Sequence, residues 1–220
     1  SGPGDPEGFL YRGARREDGT RDGDQEQIIE KIKGTGANCL YLQAIRSHGG
    51  DGDATHNPFV DSDPAKRVDE RILEQWETWF RALDDNGIVT FFIFYDDSAK
   101  LWPDGDAVPP EERAFLETIV RRFSHHRNWI WCVAEEYAEA LRPARVKAIA
   151  EVIRNADTHQ HVIAVHKNES LDFDEFAGDP NIAQFAAQWN KHTAEELHAG
   201  MLEAWRNAGG RYNLTMAEAA

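Results

Sequence analysis

The chain has 220 residues, a formal net charge of −15 and a sequence pI near 5.0. With 41% apolar and 29% charged residues it has the composition of an ordinary globular protein, and this length can bury a core without disulfide staples. The acidic balance disfavours nucleic acid as a partner, and no apolar run reaches the roughly 20 residues that a membrane helix needs.

In chain order, SGPGDPEGFL at 1–10 lacks the charge and apolarity of a secretory signal, and Ser1 in place of an initiator Met reads as a processed start. The spacing of Ile28, Ile29 and Ile32 predicts a helix over 24–35, stopped at Gly34 and Gly36. NCLYLQAI, 38–45, reads as a buried strand, and 46–64 as a long loop rich in Gly, Asp, Asn and Pro. A helix is expected over 70–85, with Ile72, Leu73, Trp76, Trp79, Phe80 and Leu83 on one face and Asn86-Gly87 after it. The strand IVTFFIFY, 88–95, follows, then a loop, then a helix over 111–123 opened by Pro109 and Pro110. WIWCVA, 129–134, is a strand running into Glu135-Glu136-Tyr137, and 143–156 is helical. HVIAVH (161–166), IAQFAAQW (182–189) and YNLTMA (212–217) are further strands. A helix over 193–207 precedes the last of them, with Thr193 and Glu196 at capping-box spacing. Cys39 and Cys132 lie in apolar runs and read as small buried hydrophobes, not as a disulfide pair.

Strand, loop and helix in repeated alternation predict an α/β fold with parallel strands. Polar, carboxylate-rich strand ends favour a TIM (β/α)8 barrel, where active sites occupy the C-terminal mouth. Six strands are legible, so the barrel is expected to be incomplete in this chain, with strands before Ser1 and after Ala220 and one domain over 1–220.

The strand ends supply the candidate site: His48 with Asp51 or Asp53; Tyr95, Asp96 and Asp97; Glu135 and Glu136; His166 and Lys167; Gln188, Trp189 and Asn190; and Glu218. Carboxylates, amides, imidazoles and aromatic rings at one mouth suit carbohydrate chemistry. Hydroxyls take polar groups, ring faces take aromatics, and two carboxylates divide the proton and nucleophile roles. Glu136 follows one strand and Glu218 a strand three steps later, so in a barrel of eight they face the same mouth. Tyr137 and Trp189 are candidates for stacking on a sugar, Asp96, His166, Lys167, Gln188 and Asn190 for binding hydroxyls, and Lys167 hints at an acidic sugar.

Four segments carry a resemblance: GPGDPEGFL (2–10), GGDGDATHNPFV (49–60), RILEQWETWFRALDDNGI (71–88) and HHRNWIWCVAEEYAEA (125–140). The chain resembles a family of inferred glycoside hydrolases with a TIM-barrel catalytic domain, commonly preceded by an immunoglobulin-like domain of unknown function. That family is similar to the larger clan of retaining glycosidases with catalytic glutamates ending strands four and seven. The resemblance implies Glu136 as acid/base and Glu218 as nucleophile, with Glu135 where the clan has a sugar-contacting Asn. It also implies a poly- or oligosaccharide substrate, no cofactor or metal, no membrane or nucleic-acid partner, further domains outside this chain, and a secreted or periplasmic enzyme.

Two other readings stand beside it. One is a barrel that binds carbohydrate without cutting it. The other is a metal-dependent barrel enzyme using His48, Asp51, Asp53 and His56, with His125-His126 and His166 as further imidazoles; the Asp51–Asp53 loop also suits a structural calcium. His125-His126 precedes its strand and so is expected at the end of the barrel away from the mouth.

Overall fold

The computed structural model describes residues 7–219. Part of segment 2–10, the first of the four that carry the resemblance, therefore lies outside the described residues. Two short strands, β1 (Ala14–Arg15) and β2 (Arg21–Asp22), pair antiparallel ahead of helix α1 (Gln25–Ile32). The main sheet comprises β3 (Cys39–Gln43), β4 (Val89–Tyr95), β5 (Trp129–Ala134), β6 (Val162–Lys167), β7 (Gln184–Gln188) and β8 (Asn213–Glu218). All six run parallel, in sequential order. The connecting helices are α2 (Glu70–Asp85), α3 (Pro110–Phe123), α4 (Pro143–Ala156) and α5 (Ala194–Ala208).

These elements form where the apolar period puts them. On α2 the buried residues are the predicted six, Ile72 to Leu83, because a 3.6-residue repeat gathers them on one face. The side chain of Asp69 caps its first turn by accepting from the Arg71 N–H at 3.0 Å. Phe80 reaches through this face into a nest of rings, with Phe123 at 4.9 Å and Trp129 at 5.0 Å between centroids. Removing such a ring costs about 3–5 kcal/mol. Between β6 and β7 no helix forms; Phe173 and Phe176 fill that place, Phe173 stacking on Phe185 at 4.5 Å.

The sheet curls because its two faces differ in bulk. One face carries Cys132, Ala164 and Ala186 along β5, β6 and β7, packed with Phe91 and Ile93. The other carries Phe92, Trp131, Ile163 and Phe185 against the helices. The small groups of β5, β6 and β7 leave room on the concave side for Tyr41, Phe91 and Ile93 of β3 and β4. On that side the Tyr41 hydroxyl of β3 lies 3.5 Å from Nδ1 of His166 on β6. In a flat sheet those strands would stand roughly 14 Å apart. The result is an α/β fold with a curled, six-stranded parallel half-barrel. Cys39 departs from expectation: it opens the edge strand and is exposed, whereas Cys132 is buried.

Candidate active site

Strand alternation carries polarity to one end of the concave face. Two residues beyond Ala164 and Ala186, the inward positions become His166 and Gln188, and two beyond Tyr41 comes Gln43. At the last strand, β7 and β8 shift register: Ala187 pairs with Met216 but Gln188 with Glu218, leaving Ala217 as the extra residue. Such a bulge re-aims the residue that follows it. Glu218 thus ends β8 beside Gln188, and its carbonyl accepts from the Trp189 N–H at 3.2 Å.

The paired glutamates after β5 separate into different environments. Glu135 is buried; the Tyr41 hydroxyl donates to Oε1 at 2.7 Å and the Gln43 amide donates to Oε2. Glu136 turns into the left-handed region, φ 36° and ψ 47°, and is only partly buried. Its N–H donates to Nδ1 of His166 at 3.1 Å, and the Asn168 amide donates to its Oε2 at 2.7 Å. Loss of hydration pushes the Glu136 carboxyl up to about 7, reinforced by the charges of Glu139 and Glu218 and opposed by a hydrogen bond from Gln188. Burial holds His166 down at about 4, so its imidazole is neutral. Its Nε2 and the Oε1 atoms of Gln43 and Gln188 are buried without hydrogen-bond partners. Three unsatisfied polar atoms on one concave face are groups that a polyhydroxylated ligand could satisfy.

Beside Glu135 lies a second acidic group. Asp96 is 1% exposed, ion-paired with Arg46 at 3.3 Å, and accepts from the N–H groups of Asp51 and Asp97. Desolvation, then the charge of Asp96, raises the Asp97 carboxyl to about 6. A cavity of about 290 Å³ adjoins this region, lined by Lys100, Trp102, Glu139, Arg142 and Arg145 among others. Its Glu139 also donates its N–H to the Glu136 carbonyl at 2.9 Å.

Other predicted residues are placed differently. Lys167 and Tyr137 meet on Glu175, at 2.7 Å and 2.6 Å, and the Tyr137 ring is buried against Phe176. Tyr137 therefore presents no free face. Trp189 packs on Gly200 of α5 and carries Lys191 over its ring at 4.0 Å. Asn190 donates its N–H to Glu169. His48 is exposed at φ 61°, with its Nδ1 2.9 Å from the Ser47 hydroxyl. Among the described residues, His48, Asp51, Asp53 and His56 form no converging ligand group. Asp53 instead accepts from Thr55, and His56 stacks on Tyr11. Tyr41, Gln43, Asn168 and Glu139 were not singled out from the sequence. A polar Gln43 two residues after Tyr41 in an apolar run was the one available signal.

In barrels of parallel strands the C-terminal mouth, where these carboxylates gather, is the position of the active site. The chain belongs to the family described as "Apiosidase-like, catalytic domain", which it matches over residues 20–219. Solved structures agree on the fold. A provisionally assigned glycoside hydrolase of Bacteroides vulgatus superposes with a TM-score of 0.69 at 17% identity, covering 93% of this chain and 42% of that one. A family 5 glycoside hydrolase of the same organism gives 0.63 at 12% identity, with coverage of 96% and 47%. A broad-specificity endoglucanase of Clostridium acetobutylicum gives 0.56 at 15%, with coverage of 88% and 69%. The chain thus spans less than half the length of the first two. No sequence among curated proteins matches it significantly.

Proposed function

We propose that this chain forms most of a (β/α)8 barrel that hydrolyses a glycosidic bond with retention of configuration, Glu136 acting as acid/base and Glu218 as nucleophile. The observation that carries this reading is the state of Glu136. Its carboxyl is raised to about 7, chiefly by loss of hydration and then by Glu139, with a smaller contribution from the charge of Glu218 on a strand three places away. A carboxylic acid that keeps its proton near neutrality, facing a second carboxylate, is the division of labour that glycoside hydrolysis requires. Glu136 would protonate the departing oxygen while Glu218 attacks the anomeric carbon. The resulting glycosyl ester is then cleaved by water that Glu136 deprotonates.

The other polar groups have supporting parts. Tyr41 and Gln43 hold Glu135, and His166 holds the backbone of Glu136, so the pair cannot exchange places. Gln188 and Asn168, both bonding Glu136, are placed to contact a sugar hydroxyl. Trp102 and Lys100 in the adjoining cavity suit a neighbouring sugar unit. The substrate class is a poly- or oligosaccharide, and the family's name makes apiose-bearing glycosides the first to assay. Incubation with such glycosides, followed by NMR of the nascent anomer, is the test. Retention supports the assignment, inversion refutes the nucleophile, and binding without release of reducing ends favours a non-catalytic carbohydrate-binding barrel.

A further inference from the structure

At the opposite, N-terminal end of the sheet, a group of different chemistry converges. Glu77 of α2 faces His125 and His126 in the turn between α3 and β5. Nε2 of His125 lies 3.1 Å from Glu77 Oε1, and Nε2 of His126 lies 3.5 Å from Glu77 Oε2. One ligand atom from each of the three lies within 4.8 Å of the others.

Hydrogen bonding alone leaves this arrangement incomplete. Nδ1 of His125 lies 3.0 Å from the Arg122 carbonyl oxygen, which fixes a proton on that nitrogen. Nδ1 of His126 faces Asp84 Oδ2 at 3.8 Å. The Nε2 atoms of both rings thus point towards the same carboxylate. His126 is 4% exposed, its ring lying along Phe123 and Trp129, so it cannot turn away. Its Nε2 and the Oε2 of Glu77 are both buried without a hydrogen-bond partner. The 3.1 Å contact of His125 with Oε1 leaves the buried Oε2 and the His126 Nε2 without hydrogen bonds. A cation between the three atoms satisfies both.

Two ligand atoms about 2.0–2.1 Å from a tetrahedral zinc stand about 3.4 Å apart; the three ligand atoms here already lie within 4.8 Å of one another, so a small side-chain adjustment brings them onto one ion. The Arg122 carbonyl behind the His125 imidazole is the kind of outer partner that orients a zinc-bound histidine, and the Asp84 carboxylate stands 3.8 Å behind the other ring. His125 is half-exposed, which leaves an entry path, and the guanidinium of Arg81, 3.1 Å from Glu77 Oε1, is mostly in solvent and free to swing aside. We propose that Glu77, His125 and His126 form a zinc-binding site that fastens α2 to the turn before β5, with water as fourth ligand. It lies at the far end of the strands from Glu136 and is independent of the glycosidase reading.

The test is calorimetric titration of the intact chain with zinc chloride alone at neutral pH. One equivalent should bind, and a hundredfold excess over Kd should raise the melting midpoint by about 5–10 °C. His125→Ala and Glu77→Gln should each weaken binding by at least about 10–100-fold, with unchanged circular dichroism and unchanged glycoside turnover. His125 is exposed enough that its variant decides the matter even if Glu77→Gln misfolds. Absence of a one-equivalent transition would overturn the proposal. Undiminished binding by His125→Ala would place the ion elsewhere, such as at Asp96, Asp97 and Glu135, and overturn the proposal.

Discussion

The backbone N–H of Glu136 donates to Nδ1 of His166 across 3.1 Å. Glu136 occupies a left-handed conformation that costs a non-glycine residue about 1–2 kcal/mol. The conformation persists because the buried neutral imidazole, with its proton on Nε2, offers the Nδ1 lone pair at that point. The contact also separates the paired glutamates: with Glu136 turned this way, Glu135 faces Tyr41 and Gln43.

Replacing His166 with Phe retains the volume and removes the acceptor. The N–H of Glu136 then lacks a partner, at a cost of about 1–3 kcal/mol. A misplaced carboxyl should lower kcat by about 100-fold with a smaller change in KM. Denaturant unfolding and steady-state kinetics on one preparation measure both.

Glu136→Gln and Glu218→Gln are expected to leave melting temperatures near that of the natural chain, because both side chains are only partly buried. Turnover by Glu136→Gln should fall by about 10²–10⁴-fold, and less with aryl glycosides whose leaving group needs no proton. Glu218→Gln should be inactive with every leaving group. Wild-type-like rates in either variant would remove that residue from the mechanism.

The pH profile follows from the same carboxyl. Glu136 must be protonated to act as an acid, so kcat/KM should fall as pH rises through about 7. Glu139→Gln removes a neighbouring negative charge and should move that limb to lower pH. Stability shifts too: between the ordinary 4.5 and about 7 the folded chain holds a proton that the unfolded chain has released. The Glu136 contribution to folding stability therefore declines as pH rises across that window, while His166, held at about 4 against its ordinary 6.5, contributes in the opposite sense; comparing the natural chain with Glu136→Gln isolates the Glu136 part. Asp97, raised to about 6, adds to the decline at its lower end. Thermal melts between pH 4 and 8 give the sign.

Arg46 and Asp96 form a buried ion pair, 6% and 1% exposed at their side chains. Arg46→Met leaves the Asp96 charge without its guanidinium and should cost about 3–5 kcal/mol. Gly50 abuts the same carboxylate: a Cβ there would lie 2.6 Å from Asp96 Oδ2. Gly50→Ala should therefore destabilise in the same direction, measured by chemical denaturation.

All six main strands and five helices lie within about two or three residues of where the apolar patterning puts them. Periodicity is a local property, and burial enforces it. The pair β1 and β2, two residues each, carries no period long enough to read. The segment between β6 and β7 buries Phe173 and Phe176 without any repeat.

The sequence by itself determined which residues carry carboxylates at the strand ends, Glu135, Glu136 and Glu218 among them, because a strand's end and its polarity are both local. Only the tertiary structure decided their surroundings. It gave Glu135 to Tyr41 and Gln43, gave Glu136 to His166 and Asn168, drew Lys167 and Tyr137 onto Glu175, and set Glu77 against two histidines 48 and 49 positions further on. These contacts arise from the curl of the sheet and the docking of helices across it. They depend on the relative bulk of two faces summed over six strands, which no single stretch of sequence displays.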